Sequence, residues 1–192
     1  MLIVFAQAAH GAEVSEYVGK AHQLVAEKKY EEAIAQYTEA LKISPKNAQL
    51  NMLIGLTYAS AGKMDKALEY TKIAVELDPS YASYYNLGLM YSATKEMDKA
   101  LEAFDKSLSL NPKSYHAAHQ KGLVYSEQKD YVKAAEAFAK AVELNPDFED
   151  GYIALVAAYS KKGDKESIKK LAAELRKAKK DALAAAFENE AK

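Results

Sequence analysis

The chain has no cysteine, and only four prolines and eight glycines in 192 residues. Without cysteine it can build no disulfide framework, no thiolate metal site and no thiol nucleophile. Charge of one sign is missing too: 26 basic residues stand against 27 acidic ones, a net charge of -1. Nucleic-acid binding needs clustered Lys and Arg to neutralise phosphates, so that class is excluded. Electrostatic attachment to an anionic membrane is excluded on the same ground. No apolar run approaches the length of a membrane span. The Gly-rich phosphate loop, the HExxH pair and the GxSxG elbow are all lacking, so no enzymatic reading and no cofactor is supported.

What is present favours helices. Ala, Leu, Lys and Glu are abundant, and 49% of residues are hydrophobic, enough for a sizeable core. The length fits one domain or one continuous repeat array. The prolines decide between these. Pro45, Pro79, Pro112 and Pro146 fall at intervals of 34, 33 and 34, each after a polar residue: Ser44, Asp78, Asn111, Asn145. Proline lacks an N–H and restricts the residue before it, so each pair marks a helix end. A fixed period of this length means repeats.

Aligning on the prolines brings other positions into register. Small residues recur at Ala21, Gly55, Gly88 and Gly122, and again at Ala33, Ala67, Ala100 and Ala134. Their two positions belong to the two helices of one hairpin, where a missing side chain lets the axes approach. Large residues follow the first set three places on: Leu24, Tyr58, Tyr91, Tyr125. Aromatics follow the second four places on: Tyr37, Phe104 and Phe138, with Thr71 the exception. Each large residue fills the space beside a close contact. The third unit reads Tyr84-x-x-Leu87-Gly88-x-x-Tyr91, then Ala100-x3-Phe104, then Pro112. This pattern resembles the tetratricopeptide repeat (TPR).

The resemblance implies an all-α fold, a right-handed superhelical solenoid of antiparallel helix hairpins with a C-terminal capping helix. The units are expected at 14–47, 48–80, 81–114 and 115–148, with a divergent fifth at 149–178. In the fifth, Val156 and Ile168 replace the two small residues. Larger residues there should push its helices apart and end the repeat. Residues 179–192 are expected to form the cap, continuous with the preceding helix or separated by a break near Asp181. Most of the fourteen tyrosines fall at seam positions and are read as core. Residues 1–13 form an apolar leader, with Leu2 to Ala6 and then small residues resembling the back half of a signal peptide without its basic start. An export signal would make the protein periplasmic or secreted; otherwise it is cytoplasmic.

In TPR proteins the first helices of successive hairpins line a concave groove where peptides bind. By spacing, the groove positions here are Val18 and His22; Met52 and Leu56; Tyr85 and Leu89; His116, His119 and Leu123; and Ile153. This groove is mostly apolar, which suits an amphipathic helix or an extended apolar peptide of a partner protein. Chaperone-binding members of the family clamp a carboxylate with Lys, Asn and Arg. Val18, His22 and Leu53 stand at the corresponding early positions here, so that activity is not implied. His116 and His119 share one helix face, but no third ligand is evident, so they are read as polar contacts for a ligand rather than a metal site. The alternative function is self-association as a homo-oligomer. In it, the apolar start (Leu2 to Phe5) occupies its own or a neighbour's groove, in the manner of small periplasmic TPR proteins that assist envelope assembly.

Overall fold

The computed structural model describes residues 2–191, with side chains from Gly11 onward. Among the described residues the chain is entirely helical. It forms α1 (Leu2–Ala26), α2 (Tyr30–Ile43), α3 (Ala48–Ser60), α4 (Met64–Leu77), α5 (Tyr81–Ala93) and α6 (Met97–Leu110). There follow α7 (Tyr115–Glu127), α8 (Tyr131–Leu144), α9 (Glu149–Lys162), α10 (Lys165–Lys177) and α11 (Asp181–Glu190). Two compact units are present, one ending at Leu110 and the other beginning at Asn111. α1 runs through residue 13 without interruption. Whether the apolar start occupies a groove concerns side chains outside the described residues.

Hairpin turns and inter-hairpin turns use different local chemistry. The first helix of each hairpin, and α10, ends on a residue in the left-handed region: Lys28, Gly62, Lys95, Lys129, Gly163 and Lys179, with φ between 60 and 76°. In every case the following residue donates its N–H five places back: Lys29 to Leu24, Lys63 to Tyr58, Glu96 to Tyr91, Asp130 to Tyr125, Asp164 to Tyr159, Lys180 to Leu175. That is a Schellman stop, which satisfies carbonyls the helix would otherwise orphan. The inter-hairpin turns carry the prolines. Ser44, Asp78 and Asn145 precede them with φ of -127, -141 and -137° and ψ of 72–93°, a conformation that ends the helix. A capping side chain then starts the next helix. Asn47, Ser80 and Ser114 accept from the N–H of Leu50, Ser83 and Ala117.

In the first unit α1 pairs with α2, α3 with α4 and α5 with α6, and α3 and α5 also pack on the hairpin before them. Tyr37 and Phe104 are fully buried at the centre of the first and third hairpins. A Cβ added at Gly88 would lie 2.6 Å from the Phe104 ring. The second hairpin has Thr71 where the others have a ring. Its hydroxyl is fully buried and has no hydrogen-bond partner. In the second unit α7 and α8 close on Gly122 and Phe138, where an added Cβ would come within 2.4 Å of the ring.

α9 and α10 touch far more sparsely than the other hairpins. Val156 and Ile168, both buried, hold them apart, and Phe187 of α11 joins them in one apolar cluster with Ala172, Leu175 and Ala184. The break at Lys179 folds α11 back onto α10. Arg176 bonds Glu188 through two nitrogens at 2.7 Å each. Lys180 donates to Pro146 O and to Asp147 Oδ1, which ties the start of α11 to the loop before α9. The seam tyrosines Tyr58, Tyr91, Tyr125 and Tyr159 are only half-buried. Lysines cover most of these rings: Lys72 and Lys99 lie 5.6 Å from Tyr91, Lys133 5.5 Å from Tyr125 and Lys162 5.8 Å from Tyr159. Tyr58 stacks on Tyr70 instead, at 5.5 Å.

Two substitutions test this packing by chemical denaturation. Gly122→Ala should cost about 1–3 kcal/mol, because the new methyl overpacks Phe138. Thr71→Val, which keeps the shape and removes the stranded hydroxyl, should stabilise by about 1 kcal/mol.

Candidate peptide-binding faces

None of the ten sequence-predicted groove positions is fully buried. In the first unit Val18 is partly buried, packing against the core cluster of the first hairpin. His22 is exposed, with its ring edge-on to Tyr37 at 5.8 Å. Tyr85 leans on Phe104 at 5.9 Å. Leu56 and Leu89 are partly buried. Met52 lines a cleft of about 260 Å³ between α3 and α5, together with Gln49, Ala82 and Asn86. Asn86 was not among the expected positions, although it lies one turn beyond Ala82 on the same face.

In the second unit Leu123 and Ile153 stand out, 43% and 54% exposed. Leu123 borders an apolar cleft of about 340 Å³ shared by α7, α8 and α9. Phe138 and Ala158 form its floor, Ala154 and Ala157 one wall, and Lys161 its rim. The alanines make this cleft. Larger side chains at those positions would fill the space between α7 and α9. Lys161 and Tyr131 escaped sequence reasoning, but Lys161 follows Ala157 by one helical turn and could have been found by that spacing.

At the other end of the same face His116 and His119 meet an aromatic the sequence did not flag. Phe148 stands where Asn47, Ser80 and Ser114 cap the other first helices, and it makes no capping bond. Giving up such a cap costs about 1 kcal/mol. The ring instead packs on Tyr115 at 5.0 Å, on His119 edge-on at 4.9 Å and on His116 at 6.2 Å. Gly151 makes room for it, since a Cβ there would come within 2.6 Å of the Phe148 ring. His119 also leans on Phe138 at 5.2 Å. Burial between these rings holds the His119 imidazole below the usual histidine range; Asp150 pulls it partly back up, and His116 pushes it down. Among the described residues no group of three or more metal-ligating side chains converges.

Profiles of the tetratricopeptide repeat match residues 21–62, 48–81, 81–114 and 117–148. The chain belongs to the tetratricopeptide repeat family. Among curated proteins, this TPR chain is 38% identical over 61 residues to anaphase-promoting complex subunit 3 of Dictyostelium discoideum, a stretch covering 32% of this chain and 6% of that protein. It is 35% identical over 63 residues to Hsp70-Hsp90 organizing protein 1 of Glycine max, covering 33% and 11%. The match thus spans only about a tenth or less of those relatives. Among solved structures, MamA superposes with a TM-score of 0.73 at 26% identity, over 94% of this chain and 91% of that one. YrrB, titled a TPR protein with an unusual peptide-binding site, superposes at 0.65 with 20% identity, over 91% and 82%. At that identity the YrrB match shows the fold alone.

The depressed His119 value has a stability consequence. In the folded chain the neutral imidazole is favoured, whereas the unfolded chain takes up a proton near the ordinary value of about 6.5. This contribution is therefore complete above that pH and declines as pH falls below it. Melting temperatures between pH 7 and pH 5 should drop less in His119→Gln than in wild type. An equal or steeper drop in the variant would show that His119 does not carry this dependence.

Proposed function

We propose that this TPR protein is an interaction scaffold that holds an apolar peptide or helix of a partner protein on the outward faces of its first-in-hairpin helices. The observation that carries the reading is the α7–α9 face, where Leu123 and Ile153 remain exposed beside an apolar cleft. On α9, Gly151, Leu155, Val156 and Ala158 are buried in the fold, while Asp150, Ile153, Ala157 and Lys161 face water. Both stripes contain apolar residues, but only the first has a partner within the unit. An exposed apolar group beside a preformed cleft is what a helix-in-groove or extended-peptide partner requires. The α3–α5 cleft, with Met52 at its wall, offers a second, more polar contact in the first unit. In this reading Val18 and His22 on α1, Leu56 on α3 and Tyr85 and Leu89 on α5 extend the surface of the first unit, and His116 and His119 on α7 that of the second.

The scaffold role is consistent with the family, and with relatives whose names place them in multi-protein systems. No residue cluster described above has the geometry of a nucleophile with its base, and we assign no catalysis.

The test is Leu123→Asp combined with Ile153→Asp. Both side chains are exposed, so far-ultraviolet circular dichroism and melting temperature should stay close to wild type. Capture of the partner from native extract should fall by at least about tenfold, corresponding to roughly 1.4 kcal/mol. Undiminished capture by a folded variant would remove this face from the binding surface.

A further inference from the structure

The α7–α9 face is apolar in the middle and oppositely charged at its two ends. Along α9 its exposed residues are Asp150, Ile153, Ala157 and Lys161, one helical stripe about 16 Å long. At the start, Glu149 and Asp150 are both exposed, beside the His116–Phe148 rings. At the end, Lys161 stands at the rim of the apolar cleft. Its neighbour Lys162 is engaged with Asp164 at 2.9 Å, and Ser160 donates to Glu190 at 2.9 Å. Neither Asp150 nor Lys161 forms a salt bridge among the described residues, and Asp150 acts electrostatically on His119. Charges of opposite sign therefore stand at the two ends of the stripe, Lys161 on the apolar cleft and Asp150 one turn before Ala154 of its lining.

Building on the groove reading above, we infer that the second unit accepts an amphipathic helix carrying a basic residue at one end, two apolar residues one turn apart in its middle and an acidic residue at the other. The apolar pair would enter the cleft between Leu123, Ala154 and Ala157. The basic end would lie against Asp150 and Glu149, and the acidic side chain against the Lys161 ammonium. The spacing supports a helix, because the stripe on α9 repeats at helical pitch and a partner of the same pitch meets every point of it. The end charges select the partner, while the apolar contact supplies most of the affinity.

The test uses capped, alanine-based helical peptides with a fluorescent label, two leucines one turn apart, and variable ends set about 16 Å apart. Four versions differ only at those ends: Lys and Glu, Lys and Lys, Glu and Glu, Gln and Gln. A fifth replaces both leucines by alanine. In fluorescence anisotropy at low salt, the Lys/Glu peptide should bind about fivefold more tightly than the Gln/Gln peptide, the gain expected of two exposed ion pairs. That advantage should vanish at about 0.5 M salt, where such pairs are screened. Asp150→Lys should transfer the preference to the Glu/Glu peptide, and Lys161→Glu should transfer it to the Lys/Lys peptide. Both substitutions are at the surface and should leave the circular dichroism unchanged. If all four leucine peptides bind alike and the alanine control does not, the groove reading stands and the charge-bracketed partner is overturned. If no peptide binds, both fall. Binding carried only by a free C-terminal carboxylate, added to an otherwise neutral peptide, would also overturn the side-chain assignment.

Discussion

The structure depends on one contact made repeatedly: an aromatic ring on the second helix of a hairpin packed against a residue with little or no side chain on the first. Phe104 over Gly88 and Phe138 over Gly122 are its clearest cases. At Gly88 and Gly122 the ring takes the space that an opposing Cβ would need. The first hairpin closes with Ala21 and Tyr37 in one buried cluster and the second with Gly55 against Thr71, so the pair can vary while the hairpin is kept. Burying such a ring contributes about 2–3 kcal/mol. Where the pair is changed, the local packing changes. Thr71 leaves the second hairpin without a ring and with an unsatisfied hydroxyl. Val156 and Ile168 separate α9 from α10, and Phe187 of α11 covers the opening that results.

The turns add a second layer of control that is entirely local. A left-handed residue closes each hairpin with the same two backbone bonds, and four of the six are lysines rather than glycines. A lysine in that conformation costs about 1–2 kcal/mol relative to ordinary helix geometry. The Schellman bonds and the packing on either side hold it there. At the other end of each hairpin, proline stops one helix and a capping side chain begins the next. Phe148 breaks this rule, and the break coincides with the two histidines and with Gly151. The ring stack on Tyr115, His116 and His119 takes the place of the cap, and Gly151 leaves room for it.

The face that results is separated cleanly from the core. Along α9 the buried residues hold the unit together, and the exposed stripe carries an acidic end and a basic end. The same helix thus serves stability on one side and, as proposed above, recognition on the other. Its recognition side is cheap to alter without unfolding the protein, because Asp150, Ile153, Ala157 and Lys161 contribute little to the core.

The hairpins, their period and their seams were legible in the sequence because each rests on spacing along one chain. Pro45, Pro79, Pro112 and Pro146 mark the helix ends, and Gly88 with Phe104 marks a close approach, without reference to anything distant. The outward placement of Leu123 and Ile153 was legible for the same reason, through helical periodicity. Three things required tertiary structure. The seam tyrosines were read as core, yet most are half-buried with lysines over their rings, since the ring packs while the phenol oxygen and the ammonium both keep contact with water. Phe148 carried no signal by itself, because only its neighbours across the turn show that it replaces a cap with a ring stack. Lys161 was one lysine among many until the fold set it at the rim of an apolar cleft with no carboxylate to meet it. Periodicity determines which side of a helix faces out; which outward side chains converge, and which of them are left without a partner, depends on helices distant in sequence and is decided only when they pack.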